Sequence, residues 1–194
     1  MKLTYNAPVT LTFALLSSFV LILDQILLGG LTENLFAVGG SMDFRDPLDY
    51  LRLFSHVVGH ANWTHLLSNF AFILLLGPIL EEKYGSSSVL LMMAITALIT
   101  GILNILLFST GLLGASGVVF MMILLSSFTN FRRGEIPLTF VLVVLLYVAR
   151  EVVTAFREDS ISQFAHIAGG LCGSLFGFLQ PREETPPASN GVEV

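Results

Sequence analysis

Six stretches of this chain, approximately residues 9–29, 63–80, 88–108, 115–129, 136–153 and 161–179, are apolar, several of them over the length that carries a helix across a bilayer. Turns containing charges, glycine or proline separate them. In hydrocarbon every backbone polar group needs an internal partner, so segments of this kind are expected to fold as helices. Composition agrees, with 54% of the 194 residues hydrophobic, 12% charged and a mean hydropathy of +0.82, well outside the range of a soluble domain. The expected fold is an all-α polytopic membrane protein, a bundle of six transmembrane helices over residues 1–180. The fourth segment is short, which suits the middle of a bundle, where protein rather than lipid surrounds its ends.

The connections refine this picture. The first, about residues 31–62, is much longer than the others and mixes Asp43, Arg45, Asp46, Asp49 and Arg52 with Leu51, Leu53, Phe54, Val57 and Val58, a pattern of short amphipathic helices lying in the interface. The apolar stretch from Val9 to Leu28 follows Lys2, but it is long enough to span and lacks a small-residue cleavage site, so it is expected to remain as a span rather than be removed as a signal peptide. Residues 181–194, rich in proline and without apolar periodicity, predict a disordered tail. The net charge of −5 carries no basic block, which excludes a nucleic-acid partner, and the single Cys172 excludes an intrachain disulfide. With the N-terminus inside, Lys2, Lys83, Arg132, Arg133 and Arg182 fall on the inner side, and Arg45, Arg52, Arg150 and Arg157 on the outer. The closely spaced Arg132-Arg133 pair in a short loop favours that orientation.

Polar residues inside such segments are costly and mark function. Gly114-Ala115-Ser116-Gly117 places a serine at the start of the fourth segment, and His166 lies near the start of the sixth. Successive spans alternate in direction, so the second, fourth and sixth all begin at one membrane face, extracytoplasmic in the chosen orientation. His65 and Asn69, in the first turns of the second segment, share that depth and, at i and i+4, one helical face. A helix N-terminus at Ser116 adds free backbone N–H groups and the positive end of a dipole. A nucleophile, a base and donors for a negative oxygen are what amide hydrolysis requires. No carboxylate lies at matching depth on these three segments, which favours a Ser-His dyad over a triad. Gly169, Gly173 and Gly177 recur every fourth residue, a small face for close helix packing, with Gly117 opposite, while Gly114 allows a tight turn. Asp24 is read as an interfacial helix-end residue.

His56, His60 and His65 raise the question of a metal, because three histidines within ten residues suit zinc. No His-Glu-x-x-His sequence occurs, and His65 is better placed with Asn69. His56 and His60 are expected to stabilise the loop through hydrogen bonds or to support the site from behind, with no metal and no cofactor.

Three segments, His60-Ala61-Asn62-Trp63-Thr64-His65-Leu66-Leu67-Ser68-Asn69, Gly114-Ala115-Ser116-Gly117-Val118-Val119 and Ala165-His166-Ile167-Ala168-Gly169, resemble, in order and on the corresponding helices, the rhomboid family of intramembrane serine proteases. The resemblance runs from the first helix to about Leu179. It implies a rhomboid-like bundle with a water-filled cavity, Ser116 as nucleophile, His166 as general base and later acid, and an oxyanion hole of His65, Asn69 and the Ser116 backbone N–H. It implies substrates that are transmembrane proteins, often single-span, entering beside the fifth helix and the loop at Glu151–Ser162. It also implies a multi-pass protein of a prokaryotic inner membrane with its site open to the extracytoplasmic side. Two positions depart from the family: Phe120 stands where many relatives carry a tyrosine stacked on the catalytic histidine, and Leu51-Arg52 stands where many have Trp-Arg. Gly114, Gly117, Phe120 and His60 are the expected supporting residues. The alternative is a catalytically silent rhomboid-like factor that binds membrane proteins for quality control, and less favoured still is a small transporter.

Overall fold

A computed structural model describes residues 4–128, 138–139, 141–146 and 160–179. The described residues are helical apart from loops and one isolated antiparallel bridge between Val38 and Leu112. The elements in order are α1 (Pro8–Leu23), which widens into a π-helical turn at Asp24–Leu28, α2 (Leu31–Leu35), α3 (Pro47–Ser55), α4 (Trp63–Tyr84), α5 (Ser86–Leu107) and α6 (Ser116–Ser126). A helix α7 is described at residues 138–139 and 141–146, and α8 covers Ser160–Leu179.

Three helices, Pro8–Ile26, Trp63–Tyr84 and Ser86–Leu107, are long and apolar enough to cross a membrane, and Ser116–Ser126 and Phe164–Leu179 are shorter apolar helices. Their outward faces carry Leu15, Phe19, Leu75, Leu91, Leu106, Leu171 and Leu175, all exposed. A helix that is apolar all round and still turns leucine outward is solvated by lipid, not water. The protein is an integral membrane protein. The fifth expected span is described only in part, and the tail at 181–194, the Arg132-Arg133 turn and residues 151–159 lie outside the described residues.

The short α6 sits at the centre. Gly117 to Met122, Leu124 and Leu125 are buried, and the helix packs most extensively on α8, with further contacts to α4 and α5. The small face of α8 makes the first pairing possible. A Cβ at Gly169 would run into the Gly117 carbonyl oxygen, one at Gly173 into that of Met121, and one at Gly177 into the Phe128 ring. Backbone therefore packs on backbone, as the four-residue glycine spacing predicts.

At the far end of the bundle the buried Glu81, near the end of α4, clamps two other helices. Its carboxylate accepts from Val9 N–H at 3.2 Å, Thr10 N–H at 2.7 Å, the Thr10 hydroxyl at 2.6 Å and the Ser86 hydroxyl at 2.6 Å. Ala7, which precedes α1, offers no side-chain cap, so the carboxylate satisfies the free N–H groups there and opposes the positive dipole end. Gly77 lets Thr10 approach, since a Cβ there would meet the Thr10 hydroxyl.

The first connection forms the two short helices α2 and α3. Asp24 accepts from Thr32 N–H at 3.0 Å and so ties α2 to the end of α1. Asp46 caps α3 through Leu48 N–H at 2.9 Å. Phe44, Tyr50, Leu51 and Phe54 are exposed on this segment. Its other side is held by α5, where Asn104 Nδ2 donates to the carbonyls of Gly39 at 3.3 Å and Thr110 at 3.0 Å. The bridge from Val38 to Leu112 and a bond of 2.9 Å from Gly114 N–H to the His56 carbonyl complete the attachment. The long loop is thus fastened to the turn that precedes α6.

Candidate active site

The cap of α4 fixes the first polar side chain of the site. Asn62 Oδ1 accepts from His65 N–H at 2.8 Å, an N-cap bond of ordinary kind, and Asn69 follows one turn later on the same face. His65 is half-buried and Asn69 buried.

The turn before α6 depends on Gly114, whose φ of +115° lies where side-chain-bearing residues are rarely found. A Cβ at this position would also meet His65 Nε2 at 2.6 Å, so glycine is what lets the turn lie against the imidazole. Ala115 provides no side-chain cap. The first N–H groups of α6, beginning at Ser116, therefore have no intrahelical acceptor and carry the positive end of the helix dipole. Gly117 brings α6 close to its neighbours, with a Cβ there 3.2 Å from Thr100 Cγ2 and 3.3 Å from the Ala165 carbonyl oxygen.

On α8, His166 lies nearly two turns from the helix start at Ser160, and its ring packs against Phe120 with centroids 4.3 Å apart at 36°. The aromatic face expected at position 120 is in place without a hydroxyl. His65, Asn69, Ser116 and His166, from three helices, line one cavity of about 290 Å³ with Phe72, Val119, Phe120 and Ile123. No carboxylate is among the described residues that line it.

His56 and His60 stand behind this cavity and are both buried. His56 Nδ1 donates to the Arg52 carbonyl at 3.1 Å, and its Nε2 lies 3.3 Å from the Thr100 hydroxyl. His60 Nδ1 donates to the Val58 carbonyl at 3.1 Å, and its Nε2 accepts from Asn69 Nδ2 at 3.1 Å. The His60 ring also meets the edge of His65, with centroids 5.1 Å apart. Burial pushes both His56 and His60 down to about 4, because an imidazolium there would lose its hydration.

Thr100 is a contributor outside the three motifs. Thr96, Thr100 and Asn104 are buried on α5 at four-residue spacing, so they form a polar stripe on one face of an apolar helix. That stripe reaches His56, Gly117 and the first connection. Polar residues four apart in an otherwise apolar segment are its sequence signal.

The sequence profile of the Rhomboid domain matches residues 47–183. Among known proteins, the chain is 24% identical over 134 residues to Rhomboid protease GlpG of Haemophilus influenzae, spanning 68% of this chain and 70% of that one. It is 31% identical over 137 residues to YdcA of Bacillus subtilis, named as a candidate rhomboid protease, over 68% of this chain and 67% of the other. Over 181 residues it is 25% identical to Rhomboid protease GlpG of Yersinia enterocolitica, covering 90% of this chain and 63% of that protein.

Proposed function

The chain belongs to the rhomboid family, and from that premise we propose that it is an intramembrane serine endopeptidase that uses Ser116 and His166 as a dyad. The observation that carries this reading is the single cavity in which α4, α6 and α8 bring His65, Asn69, Ser116 and His166 together. His166 takes the proton of the Ser116 hydroxyl as the oxygen attacks a scissile carbonyl. The negative oxygen of the tetrahedral intermediate is stabilised by the Ser116 backbone N–H, His65 and Asn69, donors oriented before the charge develops. The imidazolium then protonates the leaving amine, and water, deprotonated by the same histidine, releases the acyl group from Ser116. Phe120 holds the His166 ring by its face, a constraint that in a triad falls to a carboxylate.

The substrates are transmembrane segments of other proteins, single-span ones among them, unwound locally because a helix ties up its carbonyls in internal bonds. The bundle has six spans, its N-terminus inside a prokaryotic inner membrane and its cavity open to the extracytoplasmic side. Incubation of the purified protein in liposomes with a panel of transmembrane reporters tests the reading. Ser116→Ala and His166→Ala are each expected to lower kcat by about 10⁴-fold or more, and a fluorophosphonate is expected to label Ser116. Cleavage at the wild-type rate by Ser116→Ala would end the proposal.

A further inference from the structure

His60 and Asn69 make a contact behind the cavity that the roles above leave unused. Val58 offers His60 Nδ1 a carbonyl oxygen at 3.1 Å, and a carbonyl oxygen only accepts, so Nδ1 carries the hydrogen. Burial keeps the ring neutral, and Nε2 is then a bare lone pair. Whatever faces it at 3.1 Å must donate. Asn69 consequently turns its NH₂ end, not its oxygen, toward His60. An asparagine amide rotated by half a turn has almost the same shape, so its orientation is set by hydrogen bonding and not by packing.

We propose that His60 is a positioning residue that sets the polarity of Asn69, holding the amide so that one Nδ2 hydrogen is engaged behind the site and the second is available to the cavity. This rests on the assignment of Asn69 as an oxyanion donor. The opposite amide orientation sets the oxygen lone pairs of Asn69 against the His60 Nε2 lone pair and takes the NH₂ group away from that contact. Val58 therefore acts on the oxyanion hole through two steps, fixing which His60 nitrogen is protonated and thereby which end of Asn69 faces it.

Two measurements test this. In the unaltered protein in micelles, a ¹⁵N-histidine spectrum near neutral pH should show His60 protonated at Nδ1 and bare at Nε2. A ring protonated at Nε2 would overturn the proposal whatever the enzyme's activity. In reporter cleavage, Asn69→Ala should lower kcat by about 10²-fold and His60→Leu by about tenfold, each with little change in KM. The double variant should be no slower than Asn69→Ala, because nothing is then left to orient. Losses that multiply in the double variant would mean that His60 acts independently of Asn69, and the proposal would be wrong. If His60→Leu does not fold, the tautomer still decides. Wild-type cleavage by Asn69→Ala beside an inactive Ser116→Ala would remove the proposal and leave the dyad standing, whereas an active Ser116→Ala would remove both.

Discussion

Replacing Gly169 by alanine should damage the site through the backbone contact that joins α6 to α8. A Cβ on Gly169 lies 2.7 Å from the Gly117 carbonyl carbon and 2.9 Å from its Cα. These are main-chain atoms inside a buried helix and cannot swing aside. Restoring ordinary contact requires the two helices to separate by about 0.7 Å or more. Gly117 adjoins Ser116, and Gly169 is three residues from His166 on the same side of α8, so the displacement falls directly between the two groups. Overpacking of this kind costs about 1–3 kcal/mol, and a misplacement of about 1 Å between reacting groups costs about 10²-fold in rate. Gly173→Ala meets the Met121 backbone in the same way, with its Cβ 2.9 Å from the carbonyl carbon, one turn further from the site. Comparable loss of stability with a smaller loss of rate is expected there. Single-turnover cleavage of a transmembrane reporter in liposomes, alongside thermal unfolding in detergent, gives both quantities. Gly169→Ala with kcat within about twofold of wild type, or equal rate losses for the two variants, would refute the link between helix separation and catalysis.

Two further outcomes follow from groups outside the cavity. Glu81→Gln removes the charge that holds the starts of α1 and α5, and should lower the unfolding free energy by about 2–4 kcal/mol while leaving kcat of the folded fraction unchanged; an unaltered melting curve would contradict the clamp. Acid should destabilise the protein through His56 and His60. Their folded values are pushed down to about 4 against an ordinary 6.5, so between those limits the unfolded chain binds more protons. Their contribution is therefore complete above about pH 6.5, falls as the pH drops toward 4, and is flat below that, by about 3 kcal/mol for each histidine. Unfolding in mixed micelles from pH 8 to 4 measures it, and replacing either histidine by a non-titrating residue should flatten the curve.

Much of this arrangement is legible in the sequence because it depends on periodicity and on residue type. Apolar runs identify the helices, alternation of direction puts His65, Asn69, Ser116 and His166 at one depth, and glycines four apart mark the seam on α8. The fastening of the first connection to the Ser116 turn is not legible. The bond from Gly114 N–H to the His56 carbonyl and the bridge from Val38 to Leu112 join main-chain groups, which leave no mark on side-chain pattern. Glu81 is hidden for another reason, since a carboxylate beside Glu82 and Lys83 near a helix end resembles an ordinary solvated charge. Its task becomes visible once α1 is seen to start without a cap. The donor orientation of Asn69 likewise depends on Val58, eleven residues earlier, through an intervening ring.

The main-chain fastening has a consequence for how such a protein can change over time. The carbonyl of residue 56 grips the Ser116 turn through main-chain atoms alone, and the bridge at residues 38 and 112 does the same. Outward side chains of the loop, Phe44, Leu51 and Phe54 among them, take no part in that fastening and can change with the surrounding lipid while Ser116 keeps its place. Lengthening the segment between residues 40 and 46 leaves the grip intact, whereas removing one residue between Leu112 and Gly114 breaks it. Variation and invariance are assigned to different atoms of the same loop.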